Sequence, residues 1–103
     1  MLKKEDLIAL AKHLNIIHHS KGRIRVRVSP SIKKEQDRFD KQMLESFPKQ
    51  IKGIKDYKIN KLIGSITINY DSEIFEPRIW DELIAGNISD GMIEKIENII
   101  KEA

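Results

Sequence analysis

The pattern of apolar and polar positions divides the chain into seven elements. Leu7, Ile8, Leu10, Ala11 and Leu14 recur at helical spacing, which predicts an amphipathic helix over residues 5–14. Residues 21–28 then alternate with a period of two. Ile24, Val26 and Val28 take one side, and Arg23, Arg25 and Arg27 take the other. That is the pattern of a strand with one buried face, and Ser29-Pro30-Ser31 closes it because Pro30 has no N–H for a ladder. Helical spacing returns in Ile32, Phe39, Met43, Leu44, Phe47 and Ile51, predicting a helix over 33–47 that Pro48 and Gly53 end.

Residues 54–60 and 65–70 read as a hairpin with Gly64 in the connection. Tyr57 and Ile59 share a face of its first strand, and Ile66, Ile68 and Tyr70 share a face of its second. Pro77 suits the first turn of a helix to about Ala85, ended by Gly86-Asn87. Ser89 or Asp90 then caps a last helix with Ile93, Ile96, Ile99 and Ile100 inward. The order α, β, α, β, β, α, α implies one sheet with helices on one face, an α+β two-layer sandwich. The other face carries Arg23, Arg25, Arg27, Lys58, Asn60, Thr67 and Asn69. No fourth strand is evident after Ala85.

Composition narrows the chemistry. The 103 residues fit one domain and include no cysteine, which excludes thiolate metal sites, thiol nucleophiles and redox switching. The net charge is +3, but residues 1–34 carry +7 and residues 35–103 carry −4. A basic end can meet an anionic partner. The opening residues lack an uninterrupted apolar run, and no window approaches a membrane span, so a cytoplasmic protein is expected.

Two segments resemble a known family. His19-Ser20-Lys21-Gly22-Arg23-Ile24-Arg25-Val26-Arg27-Val28 is similar to the "H-S-x-x-G-R-x-R-x-R" opening of a divergent class of heavy-metal-associated domains. Ile54 to Tyr57, then Asn60-Lys61-Leu62-Ile63-Gly64-Ser65-Ile66-Thr67-Ile68-Asn69-Tyr70-Asp71, resembles their second half, with Ile63 in place of the usual small polar residue. The resemblance spans roughly residues 17–85 and implies a ferredoxin-like βαββα(β) sandwich. The helices of residues 1–16 and 86–103 are additions to it. It also implies a place beside metal-transporting ATPases or other iron and copper handling assemblies. The thiol pair of such domains is missing here, since the loop reads Ser29-Pro30-Ser31-Ile32-Lys33-Lys34.

Three features remain as candidate chemistry. His18 and His19, with His13 nearby, carry the donor type that accepts transition metals or haem, although adjacent side chains of an extended segment point apart. Arg23, Arg25 and Arg27, with Lys58 on the same sheet face, form a strip suited to phosphate or carboxylate. The apolar stripe of the first helix needs covering, by its own domain or by a second subunit in a homodimer. No phosphate loop, nucleophile–base pair or paired-carboxylate motif is present, so no enzymatic activity is expected. The leading reading is a non-catalytic accessory protein of iron or copper homeostasis, acting through protein contacts or histidine-bound metal or haem. The alternative is an anion- or nucleic-acid-binding adaptor using the arginine face. The exposed aromatics of sheet-surface RNA binders are lacking, because Tyr57 and Tyr70 share parity with core residues.

Overall fold

A computed structural model describes residues 2–101; Met1, Glu102 and Ala103 lie outside the described residues. The elements run α1 (Lys4–Ala11), β1 (Leu14–Ser20), β2 (Arg23–Val28), α2 (Lys41–Ser46), β3 (Ile54–Asn60), β4 (Ser65–Tyr70), α3 (Pro77–Ala85) and α4 (Asp90–Ile99). Short 3-10 turns at Pro30–Glu35 and Phe47–Gln50 flank α2. The four strands form one sheet in the order β1-β2-β4-β3, antiparallel at each junction. β2 and β3 therefore run the same way with β4 between them, the split crossover of a ferredoxin-like α+β sandwich.

One sheet face and the helices close over a single core. Ile24, Val26, Ile66, Ile68 and Tyr70 come from the sheet, and Leu7, Leu10, Phe47, Trp80, Leu83 and Ile96 from the layer above. Phe75 stacks on Trp80 with ring centroids 4.2 Å apart. The terminal helices contribute buried side chains to this same core.

Three elements differ from the sequence-based expectation. A fourth strand does form, but before the arginine strand rather than after α3. β1 fills the sheet edge beside β2, while after α4 the described residues make an isolated bridge between Ile51 and Ile100. The first helix stops at Ala11, and Leu14, expected on its stripe, is instead a buried strand residue opposite Val28. The helix expected over 33–47 is broken. Residues 33–38 are uniformly polar and offer nothing to bury. Asp40 then restarts the helix, its side chain accepting from the Met43 N–H at 2.8 Å.

Candidate functional site

The basic surface is built by strand register. Within β2, Ile24 and Val26 are fully buried, so pleating turns Arg23, Arg25 and Arg27 to the uncovered side. Cross-strand pairing extends each position into a row. Arg25 lies beside Thr67 and then Lys58; Arg23 lies beside Asn69 and then Asp56. Arg27 pairs with Ser65, which Asn60 flanks. Four cations thus share a face with one carboxylate, Asp56, which accepts from Asn69 Nδ2 at 2.6 Å.

Five acids are paired with cations away from this face. Asp6 pairs with Arg38, Glu45 with Lys61, Glu76 with Lys95, Glu82 with Arg78 and Glu97 with Lys4. Among the described residues, no ion pair involves Arg23, Arg25, Arg27 or Lys58. Arg25 is half-buried and its Nε has neither solvent nor a hydrogen-bond partner. Like charges two residues apart on one strand are separated by roughly 7 Å, so they repel until an anion is placed against them.

The fold sends the three histidines to three places. β1 carries a bulge between Ile16 and His18, so Ile17 is the extra residue. This step sets His18 opposite Arg25 on the open face and His19 opposite Ile24 on the helix side. His19 Nδ1 lies 2.8 Å from Asp81 Oδ1 of α3, and its Nε2 lies 2.6 Å from the Tyr70 hydroxyl. An ionised carboxylate only accepts, so Nδ1–H donates to Asp81 and Nε2 receives the tyrosine proton. His13 is occupied likewise, by Glu35 at Nε2 and Ser31 Oγ at Nδ1, 2.9 Å away. His18 is exposed, next to a guanidinium that repels metal cations.

The Tyr70–His19–Asp81 chain was not anticipated from sequence. It ties the edge strand, the central strand and α3 together. Burial pushes the Tyr70 hydroxyl above its ordinary pKa; the backbone at Gly22 opposes this and the Asp81 carboxylate adds to it. The signal was present in the run Ile16-Ile17-His18-His19, which follows a short helix and suits a strand.

The donor set does not fit a resident metal. There is no cysteine, and among the described residues no three His, Asp or Glu side chains converge on a point where an ion could sit. Nor is any helix of the described residues long and apolar enough to cross a membrane. The family model described as heavy metal associated domain 2 matches residues 7–101. No curated protein and no solved structure matches the chain.

Proposed function

The chain belongs to the heavy metal associated domain 2 family, and from that premise we propose that it is a non-catalytic, cytoplasmic accessory protein of iron or copper homeostasis that works by docking rather than by carrying the ion. Family membership gives the metal-associated role. What supports docking is the open sheet face, where Arg23, Arg25, Arg27 and Lys58 have no ion-pair partner among the described residues. Its counterpart would be an acidic segment of a metal-transporting ATPase or a membrane-associated assembly, recognised by guanidinium–carboxylate pairs. Histidine ligation has less support, because four of the six ring nitrogens are already hydrogen-bonded. Stacking of nucleic-acid bases has less support too, as the Tyr57 hydroxyl donates to the Glu45 carbonyl and Tyr70 is buried.

The test is binding of a fluorescent hexaglutamate peptide, measured against salt, with a single-stranded oligonucleotide of equal charge alongside. Binding of the peptide should weaken steeply as salt rises, and Arg23→Glu/Arg25→Glu/Arg27→Glu should remove it. Peptide binding that survives the triple reversal would overturn the docking face. Clear preference for the oligonucleotide would move the reading to a nucleic-acid adaptor.

A further inference from the structure

The broken helix between β2 and β3 leaves a cleft of about 730 Å³ beneath it. Its walls are apolar, with Ile32, Phe39, Leu44, Ile59 and Ile66 among the lining side chains. Its charged lining is balanced: Lys33, Lys41 and Lys61 against Asp37, Asp40 and Glu45. Next to it, between Lys61 and Gly64, stands the tip of the β3–β4 hairpin. There Leu62 is 96% exposed and Ile63 41% exposed.

This tip is held outward. The N–H groups of Leu62 and Ile63 both donate to Asn60 Oδ1, at 3.1 and 3.4 Å, and Gly64 takes a φ of 67° to complete the turn. Leu62 is therefore a fixed apolar knob that does not fold back into the adjoining cleft. We propose that the knob and cleft are the two halves of a homodimer interface, with the Leu62–Ile63 tip of each chain seated in the cleft of the other.

Continuity and charge favour a second copy. Knob and cleft are neighbours on one surface, so a two-fold axis between two chains lets both insertions form at once. Three lysines and three acids leave that surface with no net charge to oppose a second copy, whereas the basic sheet face would repel its own copy. A small apolar molecule would fill the cleft and leave Leu62 in water; a second chain removes both apolar surfaces together.

Sedimentation equilibrium of the full chain should show a monomer–dimer equilibrium. Leu62→Asp should weaken it roughly thirtyfold or more, since it places an unpaired charge at the buried centre. Because Leu62 is exposed in the single chain, the same substitution should leave the melting temperature of dilute protein unchanged. As this chain has no cysteine, an oxidised mixture of Leu62→Cys and Lys41→Cys chains should give the mixed disulfide dimer. A protein that stays monomeric at millimolar concentration overturns the proposal, and so does a dimer indifferent to Leu62→Asp. Uptake of an apolar dye by monomeric wild type and Leu62→Asp alike would mark a small-molecule cleft instead, also overturning it. The arginine reversals that test the docking face leave this surface intact, so the two readings fail separately.

Discussion

Val26 and Arg25 are adjacent in β2 and face opposite worlds. Val26 has no solvent exposure, so Val26→Asp buries a charge with no partner. The penalty is several kcal/mol, on the scale of the ~5–15 kcal/mol that holds a domain together. We expect Val26→Asp to be unfolded by circular dichroism and Arg25→Gln to melt within a few degrees of wild type. Equal melting temperatures for the two would refute the facing of β2. Gly53 gives a second contrast with Gly64. Both have positive φ, but a Cβ at Gly53 would sit 3.0 Å from the Ile74 Cβ and Cγ2, whereas at Gly64 the nearest atom is 3.8 Å away. Gly64→Ala should lose about 1 kcal/mol from backbone strain alone, and Gly53→Ala more, from strain plus crowding. Urea melts of the two variants check the order. Tyr70 adds a pH dependence. Its pKa is raised in the folded state, chiefly by burial, so the unfolded chain loses this proton first as the solution turns alkaline. Its contribution is complete below the ordinary tyrosine value of about 10 and is lost as pH climbs through the higher folded value. Stability measured from pH 9 to 11.5 should fall less steeply for Tyr70→Phe than for wild type.

At the scale of elements, the bulge in β1 decides which way the histidines point. Ile17 and His18 together face Arg25, so removing Ile17 would leave every other pairing of the strand as it is. Deletion of Ile17 should therefore give a folded protein that keeps the His19–Tyr70 contact, readable from the tyrosine's alkaline titration. A regular strand without the deletion would instead turn His19 outward. Elements with one strong period were legible from sequence. The strand of Arg23–Val28, the hairpin and the last two helices stand where alternation, Gly64, Pro77 and Ser89 put them. What was not legible needed tertiary partners. β1 is an edge strand whose residues from Asn15 to His18 are exposed, so it carries little apolar alternation, and only β2 shows it where to pair. The segment before α2 looked helical because Ile32 and Phe39 are apolar. The sequence does not say that the run from Lys33 to Arg38 would follow a 3-10 turn and then yield to an Asp40 cap. Of the candidate site, the arginine row was visible from alternation alone. The separation of the three histidines was not, since it depends on the bulge and on α3.

For the whole molecule, the question is whether any metal belongs to its structure. The core is apolar from α1 to α4, and its buried residues include one polar side chain, Ser65. Such a core is stabilised by burial of hydrocarbon surface and asks for no ion. Chelation should therefore leave the melting temperature unchanged, unlike the unfolding that follows metal loss in a small domain built around zinc. Among the described residues soft ions lack a site as well: there is no cysteine, Met92 is buried, and Met43 packs against the core. Titration with Cu(I) in a competing chelator should show no tight, thiolate-like binding. His18 is the histidine whose ring makes no hydrogen bond among the described residues, so any weak uptake of zinc, copper(II), nickel or haem should run through it. That uptake should vanish in acid, because a protonated imidazole has no lone pair to give. His18→Ala should abolish it without loss of stability, while His19→Ala should lower stability by breaking the contacts to Tyr70 and Asp81. A melting temperature that drops on chelation, or Cu(I) held tightly by the His18→Ala protein, would show that the fold carries an ion after all and would overturn the proposal that the protein docks rather than carries the ion.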